Sequence, residues 1–134
     1  MISQSNRARV MGSLEVKVER VMRVRAESMR AEIYGQLEDH RVGSGRVYKT
    51  PRGTHQASAP GESPARLTGR LQESVKAKKV TPRVWTVGPD PSAFPDEFYP
   101  SFLEFGTDRI APRPFMRPAI ERFKRQWGTG SASI

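Results

Sequence analysis

The sequence contains no cysteine among its 134 residues and only two histidines, His40 and His55. Without cysteine a chain has no disulfide framework, no thiolate metal site and no cysteine nucleophile. Neither histidine has a second histidine or a carboxylate at a spacing that recurs in metal sites. These absences argue against metalloproteins and cysteine-dependent enzymes, and they suit a protein made in a reducing cytoplasm.

Long apolar runs are also missing. Residues 1–13 are polar and basic and lack the apolar segment of a signal peptide, and no apolar run approaches the ~20 residues of a membrane span. We therefore expect a soluble protein with no membrane partner. The length suits a single domain spanning 1–134. The 11 glycines and 11 prolines indicate that irregular arms surround its core.

Acidic residues are outnumbered by basic ones. Lys and Arg total 23 against 14 Asp and Glu, which gives a net charge of +9. Such a field attracts nucleic acid, an acidic membrane or an acidic protein surface. The cations are spread along the chain with only short clusters, such as Lys76, Lys78 and Lys79. The charge alone does not choose among these partners, and a solvated surface explains it as well.

The segment from Ser13 to about Arg41 has the pattern of a long helix, with Ser13 as N-cap and residues 1–12 as an N-terminal tail. Apolar residues recur at steps of three and four: Leu14, Val18, Val21, Met22, Met29, Ile33 and Leu37. On an ideal wheel Glu32 falls inside this stripe and Val24 outside it. Either the stripe drifts around the helix, or a neighbouring subunit buries a second face. The second alternative favours an oligomer.

Residues 43–64, which open with Gly43 and Gly45, are rich in Gly, Pro, Ser and Thr and are predicted to form an extended arm. Within the arm, segments 46–50 and 54–58 flank Pro51-Arg52-Gly53, which predicts a hairpin. A hairpin with two polar faces is marginal alone, so we expect it to order against another chain. The predicted subunit-interface residues of the arm are Arg46, Val47, Tyr48, Lys49, Thr54 and His55.

The second half of the chain is predicted to contain short helices and a second hairpin. Thr68 is expected to cap a short helix carrying Leu71 and Val75, and segments 76–80 and 84–87 are expected to pair as strands. Trp85 and Val87 share one strand face and are expected to enter the core. A short helix over 98–105 is predicted to stop at Gly106. A last helix starts near Arg117-Pro118, presents Ala119, Ile120, Phe123 and Trp127 on one face, and precedes a tail over 128–134.

These elements predict an α+β fold with a long N-terminal helix, a small antiparallel β-sheet with an extended hairpin arm, short helices and a C-terminal helix. Within it, Glu104 is the one acid in a strongly apolar setting. A buried carboxylate there requires a partner, such as an arginine or backbone N–H groups. We therefore interpret Glu104 as a structural tie.

The sequence contains no complete catalytic motif. Residues 43–50 have the spacing of a phosphate-binding loop, but Tyr48 stands where the second glycine is needed, and the segment follows a helix rather than a strand. The acids are scattered, and no Gly-x-Ser-x-Gly is present. We predict that the chain is not an enzyme and has no catalytic residue, metal site or cofactor.

As a nucleic-acid binder the chain has the charge but lacks zinc-finger ligands, a basic region joined to heptads and an aromatic RNA-binding signature. Nonspecific contact with phosphates stays open. A basic nucleic-acid-binding protein of phage or bacterial origin is therefore the alternative function.

Four segments, in the order 60–64, 68–74, 99–107 and 112–119, form a recognisable series. In this order they resemble the head-tail joining and tail-completion family of long-tailed phages, over about residues 42–120. Two positions depart from the family pattern: Pro100 after the tyrosine and Arg113 before Pro114-Phe115. The residues that carry the resemblance are Pro60, Gly61, Gly69, Leu71, Tyr99, Glu104, Phe105, Gly106, Thr107, Pro114, Phe115 and Pro118.

The resemblance implies a structural virion protein without enzyme activity or cofactor. It implies a homo-oligomeric ring, a hexamer, between the portal-side connector and the tail tube or tail terminator, with DNA passing nonspecifically through the lumen. Such a protein is assembled in the cytoplasm of the host bacterium and resides in the neck of the virion. A minor tail component is a further alternative.

Overall fold

A computed structural model describes residues 4–128 of the chain. Its longest element is helix α1 (Gln4–Asp39), which spans 36 residues and therefore ~54 Å. The predicted start at Ser13 is wrong, because α1 begins at Gln4 and Ser13 lies inside it. Segment 4–12 contains no proline and includes alanine, arginine and methionine, which favour a helix. Residues 1–3 of the predicted N-terminal tail and 129–134 of the predicted C-terminal tail lie outside the described residues.

Two separate antiparallel hairpins follow. Strands β1 (Val47–Thr50) and β2 (Gly53–Gln56) pair as the predicted arm, with Tyr48 opposite His55. Strands β3 (Val75–Thr81) and β4 (Val84–Pro89) form the second two-stranded sheet. Val75 was predicted to lie in the short helix, but it is the first residue of β3. It pairs there with Pro89, which satisfies the strand preference of a β-branched residue.

The remaining helices are short except for the last: α2 (Arg70–Glu73), α3 (Pro100–Phe105) and α4 (Met116–Trp127). The predicted stop of α3 at Gly106 is confirmed, and this glycine has a φ of 76°. The predicted cap of α2 is wrong by one position, because Gly69, with a φ of 85°, is the N-cap. A glycine adopts this conformation without the steric cost that Thr68 would meet.

The core lies where the C-terminal half of α1 meets β3, the start of α4 and α3. Its centre is a cluster of buried apolar residues, namely Ile33, Leu37, Val75, Phe115 and Ala119. Val87 packs against this cluster as predicted, but Trp85 does not enter it. Trp85 is half-buried beside Arg23, whose guanidinium carbon lies 5.9 Å from the ring centroid. Trp85 therefore packs beside a basic side chain of α1 and not in the apolar core.

The α+β class is confirmed: one long helix, two small antiparallel sheets, short helices and a C-terminal helix. The buried face of α4 contains Ala119, Ile120 and Phe123, as predicted, while Trp127 is half-buried and stacks on Phe123. Among residues 4–128, no helix is both long and apolar enough to cross a membrane. Every residue from 4 to 17 is exposed, and we name this part of α1 the projecting helix segment.

Candidate assembly surface

The segments that carry the sequence resemblance meet at the C-terminal end of α1. Gly61 N–H donates to the Pro112 carbonyl at 3.0 Å, and the Arg113 N–H donates to the Leu103 carbonyl at 2.6 Å. From the second segment, Gln72 Nε2 donates to Glu38 Oε2 of α1 at 2.7 Å. Hydrogen bonds therefore connect segments that are far apart in the chain, and the folded structure brings the four motifs together.

Glu104 is buried, with 6% of its surface exposed, and it anchors helix α4. Its carboxylate accepts the backbone N–H groups of Phe115, Met116 and Arg117, each at 2.9 Å. These are the N-cap and the first two residues of α4, and the next residue, Pro118, has no N–H to satisfy. One carboxylate thus serves the whole first turn and complements the helix dipole. The predicted structural tie is confirmed, with backbone N–H groups as its partners.

A second tie joins the motif segments to α1, and it was not predicted from the sequence. Buried Gln36 donates to Ser63 Oγ at 2.7 Å, and Ser63 donates in turn to the Pro114 carbonyl at 2.7 Å. Arg122 of α4 donates to the side chains of Gln36 and Glu32, the latter at 2.9 Å. The position of Glu32 inside the apolar stripe was the one sequence signal of this network, and its arginine partner lies 90 residues away.

The base of the arm requires glycine. The Gly45 N–H donates to the Ala57 carbonyl at 2.7 Å, and a Cβ on Gly45 would lie 2.6 Å from the Ser58 carbonyl oxygen. A Cβ on Gly43 would overlap the Ala57 carbonyl group. The two glycines thus permit close backbone packing where the arm leaves the body. This packing is the structural role of the residues that resembled part of a phosphate-binding loop.

Glu62 fixes the same base from the other side. Its carboxylate accepts the Ser44 hydroxyl, the Ser44 N–H at 3.2 Å and the Ala59 N–H at 2.9 Å. These donors, with the Ser44 hydroxyl foremost, hold the pKa of the Glu62 carboxyl below its ordinary value. Glu62 is therefore a stabilising tie in its ionised form.

This tie predicts an acid-sensitive contribution to stability. Because the folded state lowers the pKa of Glu62, its contribution is present above the ordinary pKa of a glutamate, about 4.3, and is lost as the pH falls through the lower folded value. We expect Glu62→Gln to be less stable than the unmodified chain at neutral pH and equal to it in strong acid. Urea unfolding followed by circular dichroism across this range measures the difference. A difference that does not change with pH would contradict the prediction.

Beyond its base, the arm is exposed. Val47 and Tyr48 are 58% and 48% exposed, and the Arg46 guanidinium carbon lies 5.4 Å from the Tyr48 ring centroid. Lys49 and Thr54 are exposed as well, whereas His55 is half-buried. Each strand of the arm hydrogen-bonds to one partner and leaves its other edge open. Open strand edges and exposed apolar side chains are features that pair with another chain.

A cavity of about 490 Å³ lies beside the arm, between its β2 side, the loop before α2, and α3. Its basic lining comes from Arg66, Arg70 and Arg113, and no carboxylate of the described residues lines it. Tyr99 also lines the cavity, and burial raises the pKa of its hydroxyl. The lining includes no pair of acid and base that would suit catalysis, and its charge suits an acidic segment of a partner.

Helix α3 exposes an aromatic surface next to this cavity. Phe98, Phe102 and Phe105, which we name the aromatic patch, are 38%, 37% and 58% exposed. Phe98 contacts the buried ring of Phe94 edge-on, with the centroids 5.8 Å apart. Exposed aromatic side chains held on a rigid support are typical of interface centres.

The clustered lysines are less available for phosphate than their sequence indicates. Lys78 pairs with Asp90 at 2.8 Å, and Lys79 pairs with Glu19 at 2.7 Å. Intramolecular carboxylates thus neutralise two of the three clustered charges. Within residues 4–128, no three His, Asp or Glu side chains are grouped as metal ligands.

Comparison of the chain with protein-family models, with curated protein sequences and with solved structures finds no match. The functional interpretation therefore depends on the order of the four motifs and on the geometry described above.

Proposed function

We propose that the chain is a structural subunit of a tailed-phage virion and forms a homo-oligomeric ring, a hexamer, at the joint between head and tail. In this proposal it carries out no catalysis. The observation that carries the proposal is the arm, which is fixed at its base yet exposes strand edges and apolar side chains beyond it. An arm with these features is suited to binding an adjacent subunit.

The construction of the arm supports this role in two steps. At the base, Gly43, Gly45 and Glu62 hold the backbone in close contact with the body, so the direction of the arm is set before any partner binds. Beyond the base, Val47 and Tyr48 remain about half exposed. A preorganised arm loses less conformational entropy on docking than a disordered loop does. The arm therefore suits a permanent assembly contact with an adjacent subunit.

The motif segments supply the second support. Their hydrogen bonds and the Glu104 tie join α1, α3 and α4 into one unit beside the arm. In the proposed ring this unit is the body of each subunit, and DNA passes through the lumen without specific base contacts. The neighbours of the ring would be a portal-side connector above it and a tail-tube or tail-terminator protein below it. The host bacterial cytoplasm is the proposed place of assembly.

Deleting the exposed part of the arm tests the proposal. Ser58 is buried and its carbonyl accepts Arg113 Nε at 3.2 Å, so the deletion is confined to residues 47–56 and closed with a short glycine-serine linker. We expect the shortened chain to keep its circular dichroism spectrum and its unfolding transition but to lose ring formation. Light scattering at low and high salt measures the mass, and negative-stain electron microscopy shows whether closed rings are present.

A matched control keeps the arm but replaces its turn residues Pro51-Arg52 by Asn-Gly, a pair that favours a tight hairpin turn. We expect this variant to assemble like the unmodified chain. Rings that persist after the deletion would contradict the role of the arm. An unmodified chain that stays monomeric and binds duplex DNA only at low salt would contradict the ring and favour the nucleic-acid alternative.

A further inference from the structure

Basic and acidic residues are unevenly distributed along the chain, although its net charge is +9. Residues 1–14 contain two arginines, Arg7 and Arg9, and no acid. Residues 84–108 contain no lysine or arginine and carry the acids Asp90, Asp96, Glu97, Glu104 and Asp108. Glu104 holds α4 and Asp90 pairs with Lys78. Within residues 4–128, the exposed acids Asp96, Glu97 and Asp108 take part in no ion pair.

The basic end of the chain is the projecting helix segment, and it carries an apolar stripe. Arg7, Val10, Met11 and Leu14 follow the spacing i, i+3, i+4, i+7 and therefore share one face of α1. Val10, Met11 and Leu14 are 48%, 55% and 49% exposed. Covering this face with a partner would remove exposed apolar surface from water, which favours association.

The acidic run contains the aromatic patch. Phe98, Phe102 and Phe105 follow the spacing i, i+4, i+7, so their rings are placed along one side of α3 and the residue pair before it. Asp96 and Glu97 precede the patch directly, and Asp108 follows it. The patch thus has an apolar centre that acids flank in the sequence. The projecting helix segment has an apolar stripe with Arg7 at its end, and its three bases outnumber its one acid, Glu15.

One chain cannot bring these two surfaces together. Leu103 of α3 packs against the core cluster that contains Ile33 and Leu37, so the aromatic patch lies beside the C-terminal half of α1. Leu14 and Ile33 are separated by ~29 Å of helix at 1.5 Å per residue. Because α1 is continuous between them, contact between the two surfaces requires two molecules.

We infer that copies of this chain join head to tail, with the projecting helix segment of one copy on the aromatic patch of the next. The inference rests on the proposed ring and names a pair of surfaces that closes it. Parallel contact between two projecting helix segments would instead bring Arg7 and Arg9 of both copies together, which opposes association. A head-to-tail contact uses two different surfaces, repeats around an axis and closes into a ring.

Charge reversal tests the contact on the full chain. Variant R7E/R9E makes the helix surface acidic, and variant D96K/E97K makes the rim of the aromatic patch basic. We expect each variant alone to self-associate at least about tenfold more weakly than the unmodified chain, because like charges then face each other. Mixing the two variants is expected to restore association, since each reversed surface meets its complement on the other chain. Sedimentation velocity over a range of protein concentrations measures both effects.

Variant K76E/R83E is the control, because it changes the net charge as R7E/R9E does but at exposed positions of the β3–β4 hairpin. It is expected to associate like the unmodified chain. Leu14→Asp tests the apolar stripe and is expected to weaken association without changing the unfolding transition. Variants that associate normally, or a mixture that fails to associate, would overturn the inference. If the charge-reversal variants still formed rings but the arm deletion did not, the inference would be wrong and the proposed function would stand.

Discussion

Glu104→Ala is expected to lose a large part of the stability of the folded chain. The alanine leaves the N–H groups of Phe115, Met116 and Arg117 without their acceptor in a largely buried setting. Unsatisfied buried donors cost about 1–3 kcal/mol each, and the favourable charge at the start of α4 disappears as well. Some relaxation will let water reach part of the site, so we expect a loss of about 4 kcal/mol. Domains of this kind are stable by only about 5–15 kcal/mol.

Urea unfolding followed by circular dichroism measures this loss. Glu104→Gln is the informative second variant, since it keeps one acceptor oxygen and the side-chain volume but removes the charge. We expect it to retain part of the lost stability. Glu97→Ala, at an exposed acid of the same region, is the matched control and should change stability by less than about 0.5 kcal/mol. A loss for Glu104→Ala no larger than that of the control would refute the role of the carboxylate as the anchor of α4.

The elements that sequence reasoning placed well are those that local chemistry decides. Pro51-Arg52-Gly53 predicted the turn of the arm, and the structure has that hairpin. Gly106 predicted the end of α3, and its positive φ explains why glycine is required there. The interpretation of Glu104 also succeeded, because an acid in an apolar segment must have a partner. In each case the deciding interactions lie within a few residues, or the cost of an unpaired buried charge leaves few alternatives.

The elements that were misplaced depend on longer-range context. The start of α1 was wrong because Ser13 is a good cap in isolation, whereas the helix continues through it to Gln4. Val75 was assigned to a helix because its strand partner, Pro89, is remote in sequence. The network of Gln36, Ser63 and Arg122 had almost no sequence signal, because polar residues from three remote segments meet only after folding.

The two ties explain why the resemblance can extend over segments that are individually short. Ser63 bonds the segment that starts α4, and Glu104 bonds the same start from α3. Segments 60–64 and 99–107 therefore each supply a contact to segment 112–119, and segment 68–74 is bonded to α1 through Gln72. These contacts support an interpretation of the four segments as parts of one structural unit.

Phe115→Ala is the second change with a large expected effect. Phe115 is 1% exposed and belongs to the buried cluster with Ile33, Leu37, Val75 and Ala119. The backbone N–H that Glu104 accepts remains in the alanine variant, so the loss comes from the side chain alone. Removing a buried phenylalanine side chain costs about 3–5 kcal/mol through lost apolar burial and the remaining cavity. We therefore expect the variant to unfold at a much lower temperature and urea concentration than the unmodified chain.

The comparison of Phe115 with Phe105 separates the core from the surface. Phe105 is 58% exposed in the aromatic patch, so Phe105→Ala is expected to leave the unfolding free energy nearly unchanged. Phe115→Leu refills much of the cavity and is expected to regain part of the stability lost in Phe115→Ala. Thermal and urea unfolding of the three variants measure these differences. Equal losses for Phe105→Ala and Phe115→Ala would show that the aromatic patch is needed for folding, which would remove the reason to regard it as a surface kept for a second copy.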